Sequence, residues 1–189
     1  KKSSFYNSLL MNMGVKYQPR QKVSIKYFPN GKIQIAGLQT IEACAYSVRK
    51  AFNRLEGCGC FITEPKVSNT RIVMINSDFK VDKNIYQDRL CKTLSEHHIL
   101  RGGNILHIIF QPSKYPAINT KIIPDNKIDA YVRHSQDNGV RKKFPGVVSL
   151  LIFRSGSIII TGGNSIIDYN EIYSKIILIL SSNKNVLYS

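Results

Sequence analysis

The chain is 189 residues long and 43% hydrophobic, and its 27 lysines and arginines against 12 aspartates and glutamates give a formal charge of +15. That length is enough for a sizeable core in one large domain or two small ones, no apolar run reaches the roughly 18 to 20 residues of a membrane span, and Lys1-Lys2-Ser3-Ser4-Phe5 opens no secretory pattern. A cationic surplus of this size selects a polyanion as partner, nucleic acid ahead of an anionic membrane surface.

In chain order, Val23–Phe28 reads as a strand, Pro29-Asn30-Gly31 as a tight turn, and the segment from Ile33 to Gly37 as the second strand of an antiparallel hairpin. Thr40 is the expected N-cap of a helix. Ile41, Cys44, Ala45, Val48, Ala51, Phe52 and Leu55 recur there at spacings of three and four and define its apolar face. Arg71–Val81 reads as a strand and Asn84–His98 as a helix carrying Ile85, Leu90 and Leu94, with Asn84 and Gln87 expected as a capping box. His97 and His98 are neighbours, so they point about 100° apart on a helix and make a poor metal pair. Gly102 and Gly103 break the chain before the apolar run Ile105–Phe110, and Gln111–Ile123 is expected to be extended. Pro124–Gly146 is polar and basic, with Arg133, Arg141, Lys142 and Lys143, and reads as a long loop or an inserted hairpin. Val148–Phe153, the turn Arg154-Ser155-Gly156 and a strand ending at Gly162 form a further hairpin. A helix follows, with Ser165 as its expected cap and Ile166, Tyr169, Tyr173, Ile176, Ile177 and Leu180 on one face.

The first and last of these blocks are copies of one another. A shift of 125 residues aligns Val23–Leu55 with Val148–Leu180 without gaps. It matches Val23 with Val148, Ser24 with Ser149, Phe28 with Phe153, Gly31 with Gly156, Ile33 and Ile35 with Ile158 and Ile160, Gly37 with Gly162, and Leu55 with Leu180. Alternation along the second hairpin places Leu150, Ile152, Ile158 and Ile160 toward the helix and Leu151, Phe153, Ile159 and Thr161 on the opposite face. The corresponding outward residues of the first copy are Lys26, Phe28, Gln34 and Ala36. A sheet face bearing Leu151, Phe153 and Ile159 with no helix left to cover it is expected to bind something.

Catalytic chemistry is not legible in the chain. Of Cys44, Cys58, Cys60 and Cys91 only Cys58 and Cys60 lie close, and no second pair completes a zinc pattern, so the thiols are expected to be reduced and structural. The acidic residues are scattered, with Asp78 and Asp82 a weak pair four apart, and there is neither a Gly-rich phosphate loop nor a nucleophile beside a base. No catalytic residue, metal or cofactor is expected.

Leu150-Leu151-Ile152-Phe153-Arg154-Ser155-Gly156 followed by Ile158-Ile159-Ile160-Thr161-Gly162 resembles the second-copy signature of the TATA-box-binding protein family. Gln111-Pro112-Ser113-Lys114-Tyr115-Pro116-Ala117-Ile118 is similar to the family's Glu-Pro-Glu-Leu-Phe-Pro-Gly-Leu run, and Tyr6–Met11 looks like the matching strand of the first copy. The resemblance covers most of the chain and implies an α+β fold. In that fold a curved antiparallel sheet forms a pseudo-symmetric saddle of two repeats, with helices on the convex face. Residues 1–62 would form the first repeat, without its opening strand and helix, and residues 63–189 the second, with a basic insertion at about 124–146.

The family inserts aromatic wedges into DNA, two per repeat, which by resemblance are Tyr6 with Phe28 and Tyr115 with Phe153. Phe144-Pro145-Gly146 also resembles the Phe-Pro-Gly run, but Phe144 stands only nine positions before Phe153, too few for two strands and a turn, so Tyr115 is preferred and Phe144 is its rival. Leu151, Ile159, Thr161, Lys26, Gln34 and Ala36 would line the groove face, with Arg154 at its rim. Met74 stands where the family has an Asn that bonds base edges, with Asn76 two residues on. The resemblance implies a non-enzymatic transcription initiation factor acting inside the cell, in a nucleus or a cytoplasmic viral factory, since the drift suggests a large DNA virus or a divergent protist. Its partners would be AT-rich double-stranded promoter DNA, a transcription-factor-IIB-like protein and RNA polymerase, and not a membrane. The alternative is an interaction scaffold that kept the fold and binds DNA only non-specifically.

Overall fold

The computed structural model describes residues 7–15, 18–59, 66–99, 102–138, 144 and 146–188. The chain divides into two compact units, Lys1–Asn69 and Thr70–Ser189.

In the first unit, β1 (Leu9–Val15), β2 (Gln18–Tyr27) and β3 (Ile33–Ala36) form an antiparallel sheet in that order, followed by α1 (Ile41–Gly57). Alternation buries Met13 and Val15 of β1 and Val23 and Ile25 of β2 on one face. Ala43 and Ala51 of α1 pack against them. Thr40 caps the helix as expected, its Oγ1 accepting the Ala43 N–H at 3.1 Å. The helix face is turned relative to expectation. Ala43, Ser47 and Ala51, four apart, are buried, Cys44, Val48, Phe52 and Leu55 flank them half-buried, and Ala45 is exposed. Small residues let the helix axis come close to the sheet, and counting large apolar residues misplaces a face built of alanine and serine. The side chain of Ile41 lies outside the described atoms.

The second unit contains β4 (Ile75–Lys80), β5 (Asn84–Ile85), α2 (Gln87–Glu96), β6 (Ile105–Ile109), β7 (Ala117–Ile122), α3 (Ile128–Asn138), β8 (Val148–Phe153), β9 (Ser157–Gly163), α4 (Ile166–Ser182) and β10 (Leu187–Tyr188). Five strands form an antiparallel sheet in the order β4-β9-β8-β7-β6, and β10 pairs with β5. Leu150, Ile152, Ile158 and Ile160 are fully buried, as their alternation predicts, and form one core with Leu90 and Leu94 of α2 and Tyr169, Ile172, Ile176 and Leu180 of α4. Each such isoleucine withdrawn from water contributes about 1.5–3 kcal/mol.

The sequence repeat is visible as local structure. β2–β3–α1 and β8–β9–α4 have the same element order, and both helices are 17 residues long. In each hairpin the turn glycine, Gly31 or Gly156, donates its N–H to the carbonyl of the phenylalanine before it, at 3.0 and 3.1 Å. Both glycines have positive φ, 78° and 83°, which a side chain rarely adopts.

Several expectations are corrected. Pro124–Gly146 is neither a plain loop nor a hairpin: a 3-10 turn at Asp125–Lys127 leads into α3, whose polar composition gave no helical stripe. The turn is tied to α4 by charge, through Lys127 with buried Asp168, Lys175 with Asp125, and the Asp125 N–H donated to Glu171 Oε1 at 2.8 Å. The strand expected over Arg71–Val81 is confined to β4, and α2 starts at Gln87 with Tyr86 as an N-cap that makes no side-chain bond, so Asn84 and Gln87 form no capping box. Asn84 is instead drawn into pairing with Tyr188. Ser165 occupies the N-cap of α4 without a side-chain bond. On α4, Ile166 is 60% exposed and Tyr173 43%, while Asp168 and Ile172 take their places in the buried face.

Candidate nucleic-acid interface

The residues singled out from the sequence fall mainly on the sheet faces turned away from the helices. In the second unit the register sets two cross-strand rows. One runs Ile109–Asn119–Leu151–Ile159–Asp78 and the other His107–Lys121–Ser149–Thr161–Asn76. Leu151, Ile159, Thr161 and Phe153 are half-buried and stand outside the helix-packed core. Asn76 and Thr161 are joined by a hydrogen bond, and so are Lys121 and Ser149. A shallow hollow of about 280 Å³ follows the β4–β9 edge of this face, lined by Asn76, Asp78, Ser157 and Ile159 among others.

Tyr115 and Phe153 are brought together at one end of this sheet, their ring centroids 6.1 Å apart at 64°. Tyr115 is 46% exposed. Both flanking strand ends are held from below by one side chain: the Gln87 amide donates to the Pro116 carbonyl at 2.8 Å and to the Ile152 carbonyl at 3.0 Å. Phe144 is elsewhere, packed against Tyr131 and His134 at centroid distances of 5.6 and 5.4 Å within the insertion. Arg154, in the turn after Phe153, is exposed and its Nε donates to the Tyr188 hydroxyl. Met74 precedes β4, is 57% exposed, and has its Sδ 4.0 Å from Thr161 Oγ1.

The first unit shows the same layout in different residues. Its outward rows are Leu10–Lys26–Gln34 and Asn12–Ser24–Ala36. The repeat therefore puts Lys26 and Gln34 where the second unit has Leu151 and Ile159. Asn12 beside Ser24, joined by a bond of 2.6 Å, stands where the second unit has Lys121 beside Ser149. Gln34 and Ala36 are exposed, Lys26 and Phe28 half-buried. Tyr6 lies outside the described residues, as do Cys60, Arg141, Lys142 and Lys143.

Sequence reasoning missed Asn12, His107, Asn119, Lys121 and Ser149, because they join the face through strand register and none belongs to the quoted motifs. Asn119 Oδ1 is buried without a hydrogen-bond partner among the described residues, an acceptor in the middle of the face. Burial, followed by Lys121 and His98, lowers the pKa of His107 from the ordinary histidine value. Among the described residues no group of three or more His, Cys, Asp or Glu could hold a metal ion, and no helix is long and apolar enough to cross a membrane.

An α+β chain with paired strand–turn–strand–helix blocks, and outward sheet faces carrying aromatic residues at the strand ends, falls in a fold class already known. The fold is that of the TATA-box-binding protein: the solved Methanococcus jannaschii TBP matches with a TM-score of 0.57 at 17% identity, over 96% of this chain and 82% of that one. A TATA-box-binding-protein-like protein of Acanthamoeba polyphaga mimivirus is 28% identical over 176 residues, 86% of this chain. The chain spans 44% of that relative's length. No family model matches the chain. In sequence and in fold alike, the chain is TATA-box-binding-protein-like.

Proposed function

We propose that the chain is a DNA-binding transcription initiation factor that enters the minor groove of AT-rich promoter DNA with its outward sheet faces and bends it by aromatic insertion. The observation that carries this reading is the end of the five-stranded sheet. Phe153 and Tyr115 stand together there beside the half-buried apolar residues Leu151 and Ile159, on the face opposite the helices. A wedge must be held rigidly, and the Gln87 amide bonding both flanking carbonyls supplies the rigidity. Minor-groove proteins unstack base steps with such wedges and gain contact area from the bend, a mechanism for which the TATA-box-binding protein is itself a known example. The minor groove separates A·T from G·C and little more, so preference rests on how easily a step deforms. Phe28 and Tyr6 are the corresponding wedges of the first unit. Asn76 with Met74, Thr161, Ala36 and Gln34 meet the groove floor, and Lys26 and Arg154 meet phosphates. The bent complex recruits a transcription-factor-IIB-like protein and RNA polymerase, in a nucleus or a viral factory.

The test is end-to-end fluorescence transfer on short AT-rich and GC-rich duplexes at two salt concentrations. A bend confined to the AT-rich duplex is expected. Equal, steeply salt-dependent binding to both duplexes without a bend would replace this reading with that of a basic interaction scaffold.

A further inference from the structure

Beside the proposed wedge pair the second unit builds an aromatic and guanidinium ladder. Tyr86 and Tyr188 stack with centroids 4.0 Å apart and planes at 29°. Arg89 lies 4.4 Å from the Tyr86 ring and donates through Nη1 to the Asn185 carbonyl at 2.9 Å. Arg154 closes the other end, 5.7 Å from the Tyr188 ring, with its Nε bonded to the Tyr188 hydroxyl. The backbone beneath is fastened as well: the Ile85 N–H donates to the Arg154 carbonyl at 2.8 Å and the Val81 N–H to the Gly156 carbonyl at 3.0 Å. The strand bearing Tyr188 pairs with the strand bearing Ile85. An exposed arginine with four rotatable side-chain bonds ordinarily samples many orientations. Here the ring stack and one hydrogen bond restrict it.

We propose that Tyr188 is a positioning residue that presents Arg154 to a DNA phosphate flanking the wedge step; the inference rests on the DNA-binding reading above. Tyr188 engages only Nε, so the Nη edge of the guanidinium keeps the paired donors that match two phosphate oxygens. Arg154 directly follows Phe153, so a duplex kinked at Phe153 carries its backbone past this turn. Fixing the guanidinium before binding lowers the ordering cost of the contact. The sequence signature contains Arg154, but its partner Tyr188 is 34 residues away and becomes visible only through the fold.

The experiment measures duplex affinity across a salt series for the full chain and for Arg154→Ala, Tyr188→Phe and the double variant, alongside urea midpoints. Phe at 188 keeps the stack on Tyr86 and loses only the hydroxyl, so the midpoint should stay in place. Arg154→Ala should flatten the plot of log affinity against log salt by about 0.9, the value for one lost phosphate contact. Tyr188→Phe should weaken binding several-fold, and should add nothing once Arg154 is gone. Effects of the two substitutions that multiply, or an unchanged slope for Arg154→Ala, would overturn the proposal while the unmodified chain's bending of AT-rich DNA still stood. A shifted urea midpoint with unchanged salt dependence would make Tyr188 a structural residue only, which also overturns it. Failure of the unmodified chain to bind either duplex would remove this inference together with the reading beneath it.

Discussion

Gly156 shows how one residue ties sequence, backbone and site together. Its φ of 83° is in the left-handed region, and a Cβ there would lie 2.5 Å from the carbonyl oxygens of both Val81 and Lys83. The glycine is required twice, by the turn and by the close approach of the 81–83 segment. Gly156→Ala is expected to cost about 1–3 kcal/mol, by the cost of strained backbone, and to loosen the turn that carries Phe153 and Arg154. Gly31→Ala has the same dihedral penalty but no atom within 4 Å of its Cβ, so its urea midpoint should fall less. Cys91 gives a second expectation at this scale. Burial and the nearby Asp88 carboxylate push its thiol up to about 11. Only the thiolate is nucleophilic, so its alkylation by iodoacetamide should speed up about tenfold per pH unit from pH 8 to 10, as peptide mass spectrometry would show. A rate that levels off between pH 9 and 10, as for an ordinary thiol of pKa about 8.5, would mean the thiol is not shifted. Such details are not legible in sequence. Asn119 and Lys121 join the candidate face only through the register of β7 with β8, because pairing is non-local and alternation alone does not say which strand lies opposite.

Among the elements, the hairpins and the last helix were legible because their constraints are local: alternation with period two, a glycine at a fixed offset, and large apolar residues three or four apart. The misplaced face of α1 and the missed helix α3 share one physical cause, which is that little apolar surface marks them. The buried ridge of α1 is Ala43, Ser47 and Ala51, and the turn that leads into α3 is tied to α4 by ion pairs. That docking can be tested. Asp168 is nearly inaccessible, its side chain 3% exposed, and it pairs with Lys127, whose side chain keeps 26% exposure. Removing one partner of a fully buried pair costs about 3–5 kcal/mol, and partial solvation of Lys127 reduces this. Asp168→Asn is therefore expected to lower stability by about 2 kcal/mol and to raise amide exchange across 124–138. Substituting Asp125, whose side chain is 59% exposed, should do much less. Equal effects from the two would mean that the insertion is not anchored at Asp168.

For the whole molecule, the proposed function implies that a duplicated block reads DNA unequally with its two copies. The repeat preserves the scaffold. Turn glycines, inward isoleucines and helix length recur, and Phe28 and Phe153 stand at equivalent strand ends. What changed is the outward row, Lys26 and Gln34 in one unit against Leu151 and Ile159 in the other. An apolar row gains from contact with the deformed groove floor only after the step has opened, so it favours the bent state over the straight one. A lysine gains from a phosphate in either state and so raises affinity without driving the bend. Phe153→Ala should then abolish most of the fluorescence-detected bend, whereas Phe28→Ala should leave much of it and act mainly on affinity. Lys26→Ala should flatten the salt dependence by up to about 0.9 per lost phosphate contact with the bend intact. Equal loss of bend from the two phenylalanine substitutions would show that the polar row does not decouple its wedge, and that the outward residues matter less than the strand-end rings.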